Sequence, residues 1–596
     1  MLDINNLKQQ PTNILFLGSH PGIIQSILDF DYLAGKSEPS VKGIIAGGRR
    51  FERFFFGKKE ILLPVSPTVS GLSESIRSEI TYFFNTTSGR RAFSSTQEAF
   101  EVLPKVLGGI IFAEDVPEEH AAKLYQLVEA KNKFVIGPAS VGLLLPNILK
   151  LGAIGGVDTR QLIASDVFIQ GNVAVFSASG GMTNEIINIV AKQGRRLSFA
   201  LSFGGDRFPV LTPQSAFEIA ENDPQTETII YFGELGGTDE YDVVRLLKEK
   251  KVNKPVLCYI GGVVADLFET PPQFGHAKAL AETGEETARA KRDALREAGA
   301  QVAESFGEFV ELIGKIKTRD KINTKDYTLL MKDLSDRQHA LITSSISSDE
   351  KGDVKILGED LLEFVQARSF AGIVASLFLG KAKVSKDLED FVDFTLRLLV
   401  DHGPYVSGAV NTIITARAGR DLSSSLAAGL LTIGPRFGGA INQAAINWLE
   451  GVTKGVSAHD FVEEFAIRKE YISGIGHRKY RVDLPDPRVN KLLEFSESLK
   501  VKRFTSFAKD VAAITTAKKG NLILNVDGTI AAVLLDLLSE KEGMTDQELD
   551  KITRTEFFNA LFVLSRSVGF IAHFLDQKRL DEGLFRLGEK HVTTLD

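Results

Sequence analysis

Asp401–Pro404 reads Asp-His-Gly-Pro, Gly474–Arg478 reads Gly-Ile-Gly-His-Arg, and Leu524–Gly528 reads Leu-Asn-Val-Asp-Gly. Each segment sets a histidine or an aspartate beside glycine, after an apolar run. Two histidines and one aspartate can move a proton at carbon, polarise a thioester carbonyl and move a hydroxyl proton. Making or breaking a carbon–carbon bond next to a thioester requires these three tasks. We therefore predict that the three side chains share one active site.

The three predicted catalytic residues are His402, His477 and Asp527, and their order resembles that of the His, His and Asp of citrate synthase. A lone histidine beside glycine is more often a hydrogen-bonded loop or core residue than a catalyst. Here three such residues occur in family order, and Asp486–Arg488 (Asp-Pro-Arg) resembles the substrate arginine motif of the same family. This combination argues against coincidence, and the resemblance implies that Arg488 binds a substrate carboxylate.

The residues that follow His402 indicate which relative of citrate synthase the chain resembles most. Val406–Ala409 (Val-Ser-Gly-Ala) with Asn411–Thr412, and Arg436–Ala440 (Arg-Phe-Gly-Gly-Ala), look like the ATP-citrate lyase family. Arg566 and Arg579 match the remaining substrate arginines of citrate synthase, and bidentate arginines suit a tricarboxylate because each fork fits one carboxylate. Citrate synthase takes one active-site arginine from a partner subunit, so the resemblance also implies self-association, with a tetrameric core.

Composition limits the class of protein. The 596 residues exceed a single core and indicate about three to four domains. Hydrophobic residues at 43% and charged residues at 25% are typical of a soluble protein, and a net charge of -7 argues against a nucleic-acid partner. Cys258 is the only cysteine, which excludes a disulfide framework and a cysteine-based metal site. With no signal pattern and no apolar run of membrane length, we expect a cytoplasmic enzyme without a membrane partner.

An α/β unit opens the chain. Asn13–Leu17 is a short apolar run that ends in Gly18–Gly22 and precedes a helical pattern, as in nucleotide-type α/β folds. The glycine spacing differs from the dinucleotide fingerprint, which makes NAD a poor candidate. Thr87–Arg91 (Thr-Ser-Gly-Arg-Arg) can hold nucleotide phosphates, although a surface arginine pair is usually only solvated. The corresponding stretch of ATP-citrate lyase contacts CoA. The resemblance therefore implies that Ser88 and Arg90 bind CoA, and it favours these two residues over Arg91.

A second α/β unit begins near Val173–Phe176, a strand run that leads into Ser177–Thr183 (Ser-Ala-Ser-Gly-Gly-Met-Thr). Small residues between a strand and a helix leave backbone N–H groups free to hold an anion. We therefore predict an anion cradle at Ser179, Gly180 and Gly181. The motif alone is weak evidence, because many such turns bind nothing, but two later strand-to-glycine segments strengthen it.

His276 lies between small residues, shortly before Thr283 and Glu286, which are spaced as a helix-capping box. An imidazole beside a helix N-terminus can carry a phosphoryl group, while a carboxylate orients the other ring nitrogen. The order of motifs up to residue 310 resembles the α subunit of succinyl-CoA synthetase and the matching part of ATP-citrate lyase. The resemblance implies that His276 is phosphorylated, that Glu234 pairs with it and that the predicted cradle holds the phosphoryl group. Lys278 stands where the family usually has glycine; its ammonium can contact phosphate or point to solvent, and we favour solvent.

The domain organisation follows from the change of pattern along the chain. Residues 315–335 are charged and poor in apolar pattern, which is typical of a linker, and helical periodicity dominates after them. We predict a multidomain protein with two α/β units followed by a mostly α part. These are a CoA-binding Rossmann-like domain (1–150), a flavodoxin-like ligase domain with the phosphohistidine (151–314), the linker, and a citrate synthase-like domain (336–596).

A second set of basic residues lies close in sequence to the predicted lyase site. Arg478 follows the second catalytic histidine, and Lys518 and Lys519 precede the catalytic aspartate. Their positive charges can meet the phosphates of CoA as it enters this site. We therefore include the three residues among the candidate CoA contacts.

No ATP-grasp nucleotide-binding half is recognisable in this sequence. Such a chain can carry phosphate on histidine, but loading it from ATP requires a partner. The resemblance implies the larger (α) subunit of a two-subunit ATP-citrate lyase, with CoA and citrate as substrates and with ATP and Mg²⁺ bound mainly by a separate ATP-grasp (β) subunit. Citrate cleavage would pass through phosphohistidine, citryl phosphate and citryl-CoA to acetyl-CoA and oxaloacetate.

By reversal of citrate synthase, His477 would accept the hydroxyl proton of citryl-CoA, His402 would hydrogen-bond the enolate oxygen and Asp527 would protonate the carbon. The division of these duties stays open. Two other hypotheses are also retained. The chain can be an acyl-CoA synthetase α subunit with a helical assembly domain, against which the intact catalytic set argues. It can instead be a citryl-CoA lyase or citrate synthase with a non-catalytic CoA-binding module, against which the intact Gly275–Ala277 argues.

Overall fold

The computed structural model describes residues 2–268, 280–281, 283–317, 326–350, 352–434 and 437–595. It divides into two compact units, Met1–Leu341 and Ile342–Asp596. His276 and Lys278, from the predicted phosphohistidine segment, and Arg436, from a family motif, lie outside the described residues. The first unit contains two large sheets and the second is mostly helical, which confirms the predicted fold class.

The first sheet has seven strands, β1 (Ile14–Leu17), β2 (Val41–Ile45), β3 (Phe51–Phe56), β4 (Lys59–Ser66), β5 (Tyr82–Asn85), β6 (Gly108–Ile111) and β7 (Phe134–Ile136). The helices of this region are α1 (Ile4–Leu7), α2 (Pro21–Ala34), α3 (Glu74–Arg77), α4 (Gly89–Val102) and α5 (Glu118–Lys131). The strand order is β3-β4-β2-β1-β5-β6-β7, parallel except for the β3–β4 hairpin. The order reverses between β1 and β5, the place where open α/β sheets bind ligands.

The second sheet contains β8 (Gly142–Leu145), β9 (Leu149–Gly152), β10 (Val173–Ser177), β11 (Leu197–Ser202), β12 (Thr228–Glu234), β13 (Val256–Gly261) and β14 (Gln301–Val302). Its helices are α6 (Thr159–Ala164), α7 (Gly180–Lys192), α8 (Pro213–Asn222), α9 (Asp239–Lys248), α10 (Ala288–Glu297) and α11 (Phe306–Gly314), with 3₁₀ turns at Val263–Leu267 and Gly284–Glu286. The order is β14-β13-β12-β10-β11-β8-β9. The five strands from β10 to β14 are parallel, whereas β8 is antiparallel to both β11 and β9.

The boundary between the two sheets differs from the predicted one at residue 150. Strands β8 and β9 pair with the second sheet, so this sheet already begins at Gly142. A Cβ on Gly142 would lie 1.9 Å from the carbonyl oxygen of Leu151, and its φ is +119°. Only glycine allows this tight start of the β8–β9 hairpin.

The predicted linker differs as well. It contains α12 (Thr328–Ser335), which packs on the first unit through Tyr327, Leu330, Met331 and Leu334. These apolar residues recur at a spacing of three or four and form one face of the helix. Three polar pairs join the same segment to the first-sheet region: Asp333 with Tyr32, Arg337 with Asp29, and His339 with Glu60. Residues 326–340 are therefore a docked part of the first unit.

The second unit starts with a small antiparallel sheet, β15 (Ser347–Glu350), β16 (Asp353–Ile356) and β17 (Glu359–Asp360). Twelve helices follow in the described residues: α13 (Leu361–Gln366), α14 (Phe370–Leu379), α15 (Lys386–Leu399), α16 (Ser407–Arg417), α17 (Leu422–Leu430), α18 (Ala440–Thr453), α19 (Ala458–Arg468), α20 (Pro487–Glu497), α21 (Arg503–Lys518), α22 (Val526–Glu540), α23 (Asp546–Thr553) and α24 (Phe557–Leu580). A 3₁₀ turn at Glu589–His591 lies beyond them.

Helix α22 is the centre of this unit. Its residues from Gly528 to Leu538 are all buried, which explains why all of them except Thr529 and Asp536 are apolar. Helix α24 is long and apolar enough to cross a membrane by length and composition, but half of its apolar window is buried inside the unit. It therefore has the burial of a core helix.

Candidate active site

Two of the predicted catalytic segments pair directly. The backbone N–H of Gly476 donates to the carbonyl of Ile523 at 2.7 Å, and that of Asn525 donates to the carbonyl of Gly474 at 3.0 Å. The side chain of Asn525 caps α22 and also donates to the carbonyl of Gly476 at 3.0 Å. This short ladder places the segment of the second histidine beside the start of α22, the helix whose first turn contains Asp527.

The two segments also approach more closely than side chains would allow. A Cβ on Gly474 would lie 2.7 Å from the Cα of Gly528, and a Cβ on Gly528 would lie 2.4 Å from the carbonyl oxygen of Gly474. Trp448, fully buried in α18, donates its indole N–H to the carbonyl of Gly528 at 3.1 Å. Gly474 and Gly528, which lie in the motifs of the predicted catalytic residues, therefore serve close backbone contact, and this explains why glycine is needed there.

The first catalytic segment is held by α24. Arg566 donates its Nε to the carbonyl of Leu399 at 3.0 Å, and Ser565 donates to the carbonyl of Leu396. These bonds fix the last turn of α15, directly before His402. Arg566 is 4% exposed, and its Nη1 atom is buried without a hydrogen-bond partner in the described structure. A buried guanidinium with an unpaired donor is suited to an anionic ligand.

Arg488 is held by the aspartate of its own motif. Its Nε and Nη2 atoms donate to the carboxylate of Asp486 at 3.0 and 2.7 Å, and Asp486 is 2% exposed. The same carboxylate caps α20 by accepting the backbone N–H of Arg488 at 3.0 Å. The fork is thereby oriented before any substrate binds, which lowers the entropy cost of binding.

The five groups share one electrostatic environment. Burial raises the pKa of Asp527 to about 6, against the opposing charges of Arg488 and Arg566. The pKa of His402 is lowered by burial and by the same two arginines. The pKa of His477 is lowered mainly by burial, against the charge of Asp486, with smaller contributions from Arg488 and His402. Both imidazoles are therefore neutral at pH 7, and the structure brings together the catalytic set predicted from sequence.

The hydrogen bonds of His477 fix its tautomer. Its Nδ1 atom accepts the backbone N–H groups of Lys479 at 3.0 Å and Tyr480 at 2.9 Å. Because these groups can only donate, Nδ1 is unprotonated and the ring hydrogen lies on Nε2. His477 is thus set as a hydrogen-bond donor, which disfavours the predicted role of this residue as acceptor of the hydroxyl proton.

The other predicted contacts in the second unit are exposed side chains. The side chain of Arg579 is 70% exposed and pairs with Asp576 at 3.3 Å. It lies thirteen residues after Arg566 on one helix, which corresponds to roughly 20 Å. Lys518 pairs with Glu463 at 2.6 Å, and the remaining candidates for CoA phosphates, Arg478 and Lys519, are exposed. A groove of about 700 Å³ between α18 and α19 contains none of the predicted residues.

The candidate CoA site of the first unit is a cleft of about 520 Å³. It lies at the carboxyl ends of β1 and β2 and at the start of α4, where the strand order reverses. Ser88 begins α4 without a side-chain cap, which leaves backbone N–H groups of the first turn directed at the cleft. Arg91 lines the cleft together with Thr87 and Ser88, whereas Arg90, which was predicted ahead of Arg91, lies outside the lining; both arginines are exposed. The lining fits a phosphorylated nucleotide.

The predicted phosphoryl site of the first unit is described in part. Ser179 caps α7, and a Cβ on Gly181 would meet nothing within 4 Å, so the turn is open. Glu234 ends β12, the strand beside β10 from which this turn emerges. A small cavity of about 30 Å³ is lined by Ala178, Glu234 and their neighbours. The cradle and the carboxylate thus lie at the same edge of one sheet.

A buried lysine that no sequence motif indicated lies beneath Glu234. Lys291 in α10 donates to the carbonyl oxygens of Glu234 at 2.9 Å and Gly236 at 2.6 Å, and pairs with Glu240 at 2.6 Å. Its side chain is fully buried, and Tyr231 donates to the same glutamate. Lys291 is one of several charged residues in α10, and nothing in the sequence distinguishes it as the buried one. In the described residues no group of three or more His, Cys, Asp or Glu side chains could hold a metal ion.

The fold and the two candidate sites indicate the class of the protein: a CoA-ligase part is followed by a citrate synthase-type part. A CoA-ligase family model matches residues 176–301, and a model of the citrate synthase C-terminal domain matches residues 286–587. An Arabidopsis thaliana protein, "ATP-citrate synthase beta chain protein 2", is 38% identical over 97% of this chain and 98% of its own length.

A solved ATP citrate lyase from Methanothrix soehngenii is 34% identical, with a TM-score of 0.51 over 98% of this chain and 97% of that chain. The mouse ATP-citrate synthase is 36% identical over 96% of this chain but only 54% of its own length. The chain belongs to the ATP-citrate synthase, or ATP-citrate lyase, family and is an enzyme of that family. This confirms the resemblance inferred from the motifs.

Proposed function

We propose that this chain is the subunit of ATP-citrate lyase that carries the phosphohistidine, the CoA cleft and the citryl-CoA cleavage site. The observation that carries the proposal is the grouping of His402, His477 and Asp527 around Arg488. The buried Arg566, whose Nη1 atom is unpaired, also acts on His402 and Asp527. The chemistry of this grouping matches a substrate that holds carboxylates beside a thioester. The solved relative from Methanothrix soehngenii binds citrate and coenzyme A, which supports the same substrates here.

Cleavage of citryl-CoA then distributes the duties as follows. Asp527, ionised above pH 6, accepts the hydroxyl proton while the carbon–carbon bond breaks. The electron pair of the broken bond moves to the methylene carbon and forms the enolate of the thioester. The hydroxyl carbon becomes the carbonyl of oxaloacetate, and Asp527 returns the proton to the methylene carbon of the enolate. His402 donates to the enolate oxygen. His477 donates its Nε2 hydrogen to the forming oxaloacetate carbonyl. No net proton is gained or lost.

Arg488 and Arg566 hold the carboxylates of the oxaloacetate part. Arg488 has its Nη1 atom left after pairing with Asp486, and Arg566 has its unpaired Nη1 atom. Since Arg579 lies far along α24 from this site, its predicted substrate role requires the site of a second copy. That role would require self-association through the helical unit.

The first unit forms citryl-CoA before cleavage. His276 would carry the phosphoryl group of ATP, the turn at Ser179–Gly181 would hold it by backbone N–H groups, and Glu234 would orient the imidazole. Citrate attacks phosphorus to form citryl phosphate, and CoA then displaces phosphate to form the thioester. These roles rest on the family motif, because His276 lies outside the described residues.

The ATP-binding function belongs to a partner subunit in this proposal. Relatives named "beta chain" and "subunit 1" match this chain over nearly their full length, whereas the mouse enzyme is about twice as long. The mouse enzyme is longer than this chain by about the chain's own length. This supports a separate ATP-grasp chain here, which would bind ATP and Mg²⁺. We also propose a cytoplasmic location, because the substrates are soluble metabolites.

The test is to give the purified chain synthetic citryl-CoA and to follow release of oxaloacetate. We expect rapid cleavage by the wild type and at least about a 10³-fold loss in Asp527→Asn, since the variant removes the only proposed proton carrier. No cleavage by a folded wild-type chain would refute the assignment of a complete lyase site to this chain. Acid-labile phosphate on His276, formed with ATP and the partner, separately tests the synthetase half.

A further inference from the structure

One face of α24 holds the end of α15 and the turn after it. Arg566, Gly569 and His573 recur at spacings of three and four, so they lie on one side of the helix. They contact residues 399–401 in succession. A Cβ on Gly569 would lie 2.3 Å from the carbonyl oxygen of Val400, so the helix and the turn touch through backbone. This face of α24 therefore fixes the position of residues 399–401, which lead directly into His402.

His573 makes the outermost of these contacts. Its Nε2 atom lies 3.1 Å from Oδ1 of Asp401, and its side chain is 17% exposed. The other carboxylate oxygen of Asp401 accepts the backbone N–H of Gly403 at 3.0 Å. Partial burial opposes ionisation of Asp401, but the bonds from Gly403, His402 and His573 together lower its pKa below the usual value. The carboxylate is therefore ionised, and it ties both ends of the turn that carries His402.

We propose that His573 and Asp401 are a positioning pair for the citryl-CoA lyase site. The hydrogen bond from His573 to Asp401 anchors the turn of residues 401–403 to α24, the helix that also carries Arg566. The imidazole of His402 and the guanidinium of Arg566 are thereby kept in one fixed relation. This inference rests on the proposed function, because it assigns His402 to the enolate oxygen.

The charge of Asp401 gives the pair a second effect. Among the groups that act on His402, Arg488 and Arg566 lower its pKa, and Asp401 and Asp486 raise it. Asp401 therefore offsets part of the positive field around the imidazole. Neither His573 nor Asp401 needs to touch the substrate, so both act through His402.

A positioning role predicts a specific kinetic change. A displacement of a catalytic group by about 1 Å can lower the rate by about 10²-fold. Since the enolate oxygen becomes charged only as the bond breaks, loss of the pair lowers kcat for citryl-CoA cleavage and leaves KM nearly unchanged. We expect His573→Leu to lower kcat about 10- to 100-fold. His573→Gln keeps a donor at the place of Nε2 and should stay within about threefold of the wild type.

The experiment measures kcat and KM for citryl-CoA cleavage by the full chain in both variants, in Asp401→Asn and in the double variant Asp401→Asn/His573→Leu. His459→Leu is the matched control, because His459 is an exposed histidine of α19 with a side chain 71% exposed. The double variant should lose no more than Asp401→Asn alone, since the two residues act as one unit. Thermal unfolding of each variant shows whether it is folded.

The outcomes separate the two proposals. No cleavage by the wild type would overturn the proposed function itself. Normal cleavage by the wild type and by folded His573→Leu would overturn only the positioning pair, as would equal losses in the Gln and Leu variants. Multiplying losses in the double variant would show that the residues act independently, and this would also overturn the pair.

Discussion

Asp486 and Arg488 form a bidentate pair in which a 2% exposed carboxylate holds two nitrogens of the guanidinium at 3.0 and 2.7 Å. We expect Asp486→Asn to raise KM about tenfold, both for citryl-CoA in cleavage and for oxaloacetate in the reverse reaction. The reason is that the guanidinium of Arg488 is no longer held in the direction of the site. Stability should fall by about 1.5–3 kcal/mol, the usual contribution of a hydrogen bond to a charged group. Chemical denaturation and steady-state kinetics measure both.

The control for that variant is Asp483→Asn. Asp483 pairs with Arg481 at 2.8 Å, but both side chains are more than half exposed. Solvent screens such a pair, so its loss should change neither stability nor KM measurably. Equal effects in the two variants would contradict an orienting role of Asp486.

The ionisation of Asp527 should cost stability. Burial raises its pKa in the native state to about 6, above the usual value of about 3.9 in an unfolded chain. The native state therefore binds the proton more tightly, and the contribution of this residue to stability is lost as pH rises through 6. Asp527→Asn should be more stable than the wild type by about 1–3 kcal/mol at pH 8 and no more stable at pH 3.5. Urea denaturation at the two pH values measures the difference, and a gain that is equal at both would contradict the shift.

The pH dependence of cleavage distinguishes the two possible duties of Asp527. If its carboxylate accepts the hydroxyl proton, kcat/KM for citryl-CoA rises about tenfold per pH unit up to about pH 6 and then levels. If the protonated acid instead starts the reaction, kcat/KM falls above the same pH. We expect the rise, because His477 is occupied at Nδ1 and cannot take the proton. A falling profile would return the residue to the role of an acid.

Lys291 should be essential to the stability of the first unit. Its removal in Lys291→Met leaves Glu240 as a buried charge and two carbonyl groups without their donor. Breaking a buried pair in this way costs about 3–5 kcal/mol. Removing both charges in Lys291→Met/Glu240→Met should recover most of the loss.

Urea denaturation of the single and double variants measures this prediction. Lys248→Met is the control, because Lys248 is an exposed residue of α9 and its loss should be neutral. A double variant as unstable as the single one would show that the carbonyl contacts, and not the charge of Glu240, dominate.

Local sequence was sufficient for the centre of the lyase site. His402, His477 and Asp527 each lie in a segment where glycine, an apolar run and a reactive side chain occur within a few positions. Together with Asp486–Arg488 and in family order, they could be recognised as a set. The docked segment at residues 326–340 was expected to be a linker, because its charged residues obscured the apolar spacing of Tyr327 and its neighbours. Arg91, in place of Arg90, lines the CoA cleft, since adjacent residues at the start of a helix point in different directions.

The sequence by itself determined the order of the two α/β sheets and the helical part, the family, and which groups are proposed as catalytic, because these depend on periodicity and on short motifs. Only the tertiary structure decided which partners those groups have. The tautomer of His477 depends on two backbone N–H groups, the ionisation of Asp527 on burial beside two arginines, and the place of His402 on a histidine 171 residues away. Such contacts join residues far apart in the chain, and their energies arise only when folding removes water from around them.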